Sequence, residues 1–335
     1  MLFKDVATIS EYAEVVNAVD FFSLKATLRN VEEQQIIPII GKTLYTSLNT
    51  TYDGAASEST AQTALSITQK GLLYRCRLLI GPYLAYFYAP KAELKLSGAG
   101  LRREETATSK TAYQYQVKNF REACLEEAEA QSELLLQFLE DNKTDYEEWV
   151  NDDAFTEYRS LFIKTGKEFG SMYPAKSPYK NYWAMRSKMQ DVEEQHIRSL
   201  LGDDLFDDLK TKAKASTPSF SDKEKMLLLY LKKAIANFTV SFSIPLLNVR
   251  IDANGLSVVA ASARASSDAV SSRANPASDD ISHVIRASAA AGKEWIETAK
   301  KYLDKNYIDF QKYEYTDPAT VSESCANYGG SFGLV

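Results

Sequence analysis

Histidine occurs only twice in these 335 residues and cysteine three times. His196 and His283 stand far apart, with no cysteine and no HExxH-type spacing beside either, so a histidine-built zinc site or a Ser-His-Asp triad has almost no material. Cys76 and Cys124 sit inside apolar helical patterns and Cys325 in a Gly/Ser-rich tail, which gives no disulfide framework. No apolar run approaches the roughly 20 residues needed to cross a bilayer. The start, Met1-Leu2-Phe3-Lys4-Asp5, carries charge where a secretory signal would be hydrophobic, and a cytoplasmic origin is expected. Positive charge is also in deficit, with 39 Lys and Arg against 45 Asp and Glu and a net charge of -6. General or sequence-specific affinity for nucleic acid is therefore not expected, because it needs a concentrated basic surface. Arg102-Arg103 and Arg250 are the local exceptions that could touch phosphate.

What the chain does have is a hydrophobic fraction of 45% and a charged fraction of 25%, the balance of a folded globular protein rather than a disordered one. It also repeats itself. Asn30-Val31-Glu32-Glu33-Gln34-Gln35-Ile36 returns as Asp191-Val192-Glu193-Glu194-Gln195-His196-Ile197, and Gly41, Leu44 and Leu48 return as Gly202, Leu205 and Leu209, always 161 positions later. Leu72-Leu73, Ile80, Phe87, Pro90 and Gly100-Leu101 match Leu227-Leu228, Ile235, Phe242, Pro245 and Gly255-Leu256 at an offset of 155. Leu139, Asn142, Asp145 and Tyr146 match Leu303, Asn306, Asp309 and Phe310 at 164. The order is kept and the offset drifts only between segments, as in a tandem duplication of a whole domain. Two domains follow, 1–158 and 159–335, with Asp152-Asp153 to Tyr158 as the linker.

Each copy reads as a mainly α helical bundle with one short β-hairpin. A first helical region runs over Val16–Ile40, with a kink at Pro38, and over Lys180–Leu201; Gly41 and Gly202 close them. Thr43 and Asp204 are placed to cap a short second helix. The polar stretch Asn49–Thr63 reads as a loop. Leu72, Leu73, Cys76, Leu79, Ile80, Tyr83 and Phe87 then recur at spacings of three and four, echoed by Leu227, Leu228, Ile235, Phe238 and Phe242, until Pro90 and Pro245 stop the two helices. Beyond each proline the period becomes two. Val249 and Ile251 lead through Asp252-Ala253-Asn254-Gly255 to Leu256 and Val258, a hairpin whose turn carries Asn254 and Gly255; Gly98 and Gly100 serve the weaker counterpart. Ala260–Asp280, rich in Ser and Ala, reads as a mobile loop that a partner could order. A long helix ends each copy, on Tyr113, Val117, Phe120, Cys124 and Ala128 in the first and Val284, Ala287, Ala291 and Trp295 in the second.

Chemistry is sparse. Glu32-Glu33 and Glu193-Glu194 survive duplication, but neighbours on a helix diverge by roughly 100°, so neither pair converges on one metal or one bond; helix solubility or an inter-copy salt bridge is the expected role. Asp203, Asp204, Asp207 and Asp208 cluster at a helix start and could hold a divalent cation, without the alternating ligands and glycine of a calcium loop. Gly98-Ala99-Gly100 is too short for a phosphate loop. The aromatics Trp149, Tyr158, Phe169, Tyr173, Tyr179, Tyr182 and Trp183 crowd the junction between copies, as packing or as an exposed patch for another chain.

The "LFIKTGKEF" stretch Leu161–Phe169, the segment Ser177–Trp183, the "VEEQ..I...LG..L...L" pattern Val192–Leu209 and the segment Pro245–Leu256 together resemble an uncharacterised family of Bacteroidetes phage and prophage proteins encoded among virion genes. Those proteins are similar to head-tail connector, or adaptor, subunits, small helical modules that assemble as rings. The resemblance implies a non-enzymatic virion structural protein with no cofactor and no bound metal, located in the virion or the bacterial host cytoplasm. Its partners would be portal, tail or neighbouring copies in a homo-oligomeric ring, with no membrane. A connector subunit is often a single such domain, whereas this chain holds two. The rival expectations are a cytoplasmic metal-dependent enzyme using the acidic residues and a monomeric host-interaction module using the Ala260–Asp280 loop.

Overall fold

The structure is a computed structural model and describes residues 1–13, 20–92, 94–97, 100–103, 113–156, 158, 160–215, 218–247, 249–252, 255–258 and 278–313. The stretch expected to be a mobile loop lies outside them except for Ser278–Asp280, and so do Gly98 and Asn254. The chain is mainly α-helical and divides into two compact units. Unit 1 holds the described residues of Met1–Tyr158, Thr165–Ala184 and Leu247–Pro276; unit 2 holds those of Arg159–Lys164, Met185–Leu246 and Ala277–Val335.

In unit 1 the short helix α1 (Val6–Ser10) begins at Asp5, whose carboxylate accepts the Thr8 N–H at 2.7 Å. Helix α2 (Phe21–Val31) runs without a break into a π-helical turn, Glu32–Ile36, and then into α3 (Ile37–Ile40). Gly41 closes α3 at φ 80° and ψ 154°, a region that belongs almost wholly to glycine. Helix α4 (Lys42–Asp53) starts on that glycine, with no side-chain cap; Thr43, expected as the cap, lies inside the helix. The stretch expected to be a loop holds α5 (Glu58–Ala64), because Ser57 accepts the Thr60 N–H and sets a helix start there.

Helix α6 (Ile67–Ala92) supplies the centre of the unit, burying Leu72, Leu73, Cys76, Leu79, Ile80 and Leu84. It does not stop at Pro90. A proline near a helix end removes one hydrogen bond, and Lys91 in the last turn donates to Thr27 Oγ1 on α2 at 3.0 Å. Helix α7 (Gln114–Asp141) packs along α6 with Ala128, Leu135 and Leu139 inward. Strands β1 (Leu94–Ser97) and β2 (Gly100–Arg103) form an antiparallel ladder with Leu94 opposite Arg103 and Ser97 opposite Gly100. A short helix, α8 (Glu147–Val150), precedes the expected linker, which itself contains α9 (Asp153–Thr156). After residues 159–164, α10 (Gly166–Met172) and the first turns of α11 (Pro178–Val192) group again with unit 1.

Unit 2 repeats the plan. The rest of α11 leads into a second π-helical turn, Glu193–Ile197, then α12 (Arg198–Leu201), closed by Gly202 at φ 75°. Helix α13 (Asp203–Lys214) follows, again capped by the glycine and not by Asp204. Helix α14 (Asp222–Ser243), opened by a Ser221/Glu224 capping box, packs against α15 (Ser278–Lys305) as α6 packs against α7. Strands β3 (Val249–Asp252) and β4 (Gly255–Val258), which group with unit 1, pair with Val249 opposite Val258 and Asp252 opposite Gly255. The π-helical turn is not a consequence of Pro38, since Ser199 stands at that place in the second copy and the turn is there as well.

Candidate functional site

Among the described residues the two π-helical turns are the unusual local structure, and each opens on a buried carboxylate. π-helical turns are rare and often sit at functional positions. Glu32 is 2% exposed and Glu193 0%, whereas their neighbours Glu33 and Glu194 face solvent. The two carboxylates of each pair therefore part company: one turns inward, and Glu194 forms a surface ion pair with Arg198 at 2.7 Å. The expectation that both members serve solubility or an inter-copy salt bridge is corrected here for Glu32 and Glu193, because neighbours on a helix diverge by roughly 100° and one of each pair falls on the core side.

Each buried glutamate does the same thing in its own unit. Glu32 Oε1 accepts the backbone N–H of Leu2 at 2.6 Å, and Glu193 Oε1 accepts that of Phe162 at 2.7 Å. Leu2-Phe3-Lys4-Asp5 and Phe162-Ile163-Lys164-Thr165 are thus equivalent straps, 160 positions apart. The likeness extends along both. Phe3 and Ile163 are buried; Lys4 donates to the Ala55 carbonyl at 2.7 Å, and Lys164 donates to the Ala213 carbonyl; Asp5 and Thr165 cap α1 and α10.

The second oxygen of each glutamate is satisfied differently. In unit 1 the Tyr45 hydroxyl donates to Glu32 Oε2 at 2.8 Å. In unit 2 Phe206 stands where Tyr45 would be, and Lys210, at the place of Asn49, donates to Glu193 Oε2 and to the Ser160 carbonyl at 2.8 Å. Burial raises both carboxyls above the ordinary range, opposed at Glu32 by the Leu2 N–H and at Glu193 chiefly by the Lys210 charge. Unit 1 adds a second anchor. Arg77, buried on α6, donates to the Leu2 carbonyl at 2.9 Å and to the Tyr52 hydroxyl at 2.7 Å, and forms a two-pronged pair with Glu58 at 2.9 and 3.0 Å. Both backbone polar groups of Leu2 are thereby taken by buried side chains.

A further pair of carboxylates acts on α10 and α11. Glu140 on α7 accepts the Gly166 N–H at 2.8 and 3.0 Å, and Glu133, two turns earlier, accepts the N–H groups of Tyr179 and Lys180 at 3.0 and 2.8 Å. Each takes N–H groups at a helix start from outside that helix, where negative charge meets the positive dipole end. Burial pushes the Glu140 carboxyl up to about 7, against the pull of the Gly166 and Lys167 N–H groups. A folded value above the unfolded 4.5 means that this contribution to stability is fully present below pH 4.5 and lost as pH rises through about 7. The slope is up to about 1.4 kcal/mol per pH unit. Urea midpoints between pH 5 and 8 are expected to fall less steeply in Glu140→Gln than in the parent; parallel profiles would refute the assignment.

The other sequence candidates resolve into packing and ion pairs. Trp149, Phe169, Tyr179 and Tyr182 are buried, and Tyr158, Tyr173 and Trp183 half-buried. An exposed patch needs these rings at the surface. Instead the Trp149 indole donates to the Ile39 carbonyl at 2.9 Å and its ring stacks on Trp183 at 6.1 Å. Asp203 and Asp207 are held by Arg198 at 3.0 and 3.1 Å, and Asp208 by Lys212 and Lys312 at 2.8 and 2.7 Å. The described residues contain no group of three or more His, Cys, Asp or Glu placed to hold a metal ion. Gly100 and Gly255 open β2 and β4. His196 lies nearly parallel to Phe238 and Phe242 at 4.7 and 5.5 Å, and burial lowers its basicity. Among the described residues no helix is long and apolar enough to cross a membrane.

Two stretches of the chain, 36–159 and 197–323, each match the model of a family described as "Family of unknown function (DUF6712)". They begin 161 residues apart, as the repeated motifs do, and together cover more than half of the chain. No curated protein and no solved structure matches.

Proposed function

We propose that this chain, which belongs to the DUF6712 family of unknown function in two tandem copies, is a phage or prophage virion structural protein. It acts as a head-tail connector-like subunit, through assembly with neighbouring copies or with portal and tail proteins, in the virion or the host cytoplasm. The observation that carries this reading is the use made of the polar groups that both copies share. Glu32 and Glu193 each fasten a strap, and Lys4 and Lys164 each tie that strap to the C-terminal end of α4 or α13. Duplication has preserved a scaffold, and a scaffold presented twice suits a protein that works by contact. The β1–β2 and β3–β4 ladders add to this, since a two-stranded ladder is marginal alone and has open edges that a neighbour can cover. The likeness of Leu161–Phe169 and Val192–Leu209 to virion proteins supplies the biological setting.

Light-scattering mass on a sizing column, with negative-stain imaging, tests the reading with and without the neighbouring virion proteins. Rings or a partner-dependent oligomer are expected. A strict monomer under every condition would overturn it.

A further inference from the structure

The two straps are equivalent, yet the short helices that follow them go to different places. In unit 1 the strap leads into α1, and the turn after α1 lies so close to α6 that a Cβ added at Gly81 would fall inside the Tyr12 carbonyl. In the second copy residues 159–164 belong to unit 2, but α10, the counterpart of α1, belongs to unit 1. The position equivalent to Gly81, 155 residues on, is Ala236, buried on α14.

We propose that this one position decides where the helix after each strap docks. Glycine at 81 admits the α1 backbone to its own repeat. Alanine at 236 places a methyl group where the corresponding carbonyl would have to lie, and rigid backbone cannot yield there as a flexible side chain could. α10 is therefore turned away, and α7 receives it. Glu140 caps its first turn, Glu133 caps the start of α11, and Lys180 pairs with Glu129 on the same face of α7 at 3.5 Å. Helix α15 keeps acidic residues at both latch positions, Glu297 for Glu133 and Asp304 for Glu140, but Lys293 stands where α7 has Glu129, so the partner of Lys180 is replaced there by a second cation. The result is a segment held outside its own repeat by a latch of two carboxylates. This inference stands apart from the proposed assembly role and does not depend on it.

The test uses the full chain with Cys325→Ser and spin labels at Ser171→Cys on α10 and Glu127→Cys on α7, both exposed in the parent. Cys76 and Cys124 are buried. The parent is expected to give one distance. Opening the original home and removing the latch together, in Ala236→Gly with Glu133→Ala and Glu140→Ala, is expected to add a second distance population; an unchanged single distance would overturn the proposal. Gly81→Ala gives a reading that does not depend on unit 2. The amides of Tyr12 and Ala13, both bonded to the Ile9 carbonyl, should lose protection from hydrogen exchange about tenfold or more, and unchanged protection there would also overturn it.

Discussion

Glu193→Ala is expected to destabilise unit 2 by about 3–5 kcal/mol, the cost of breaking a buried ion pair from one side. The variant leaves Lys210 in the core with the Ser160 carbonyl but no counter-charge, and strips the Phe162 N–H of its acceptor. Denaturant unfolding followed by circular dichroism measures the loss. Replacing both partners, in Glu193→Gln with Lys210→Met, keeps an acceptor for the strap and removes the stranded charge, and most of the lost stability should return. If the double variant is as unstable as Glu193→Ala, the damage does not come from the unpaired lysine. Unit 1 should be less sensitive to the equivalent change, because the Tyr45 hydroxyl that would be left behind is neutral.

Gly81→Ala is expected to cost about 3 kcal/mol, at the upper end of what overpacking a rigid site does. The added methyl meets backbone on both sides of the Tyr12–Ala13 peptide, so relief requires α1 to lift, and lifting α1 exposes Ile9 and loosens Phe3. The reverse change in the other copy, Ala236→Gly, creates no clash and should cost only about 1 kcal/mol, the ordinary helix penalty of glycine. Thermal unfolding of the two single variants decides the matter: a loss for Gly81→Ala no larger than for Ala236→Gly would mean that close approach of α1 is not what holds residue 81 small.

The helical framework was legible because its signals are periodic. Leu72 to Phe87 and Leu227 to Phe242 announce α6 and α14, and the drift of offset between repeated segments places the duplication, which the two family matches follow. The caps were less legible. Thr43 and Asp204 are good capping residues, but Gly41 and Gly202, at positive φ, join two helices directly and leave no room for a side-chain cap. The buried glutamates were hidden by composition, since Glu-Glu on an α-helix reads as solvated surface and nothing local announces a π turn. One signal was there to be used: Leu2-Phe3-Lys4 recurs as Phe162-Ile163-Lys164, and a strap copied along with its helix implies a copied anchor. Glu133 and Glu140 could not be found from sequence, because their partners are backbone N–H groups of distant helices, and a backbone donor leaves no mark on residue type.

Amide hydrogen exchange at Leu2 and Phe162 tests most directly whether both repeats are closed by the same buried carboxylate. Both amides lie in straps with no regular secondary structure, so protection there can come only from the acceptors they are given. Exchange nearly as slow as in the middle of α6 and α14 is predicted for both, with protection lost at Leu2 in Glu32→Ala and at Phe162 in Glu193→Ala, each without effect on the other. Exchange at the rate of an unstructured chain in the parent protein, at either residue, would contradict the common anchor.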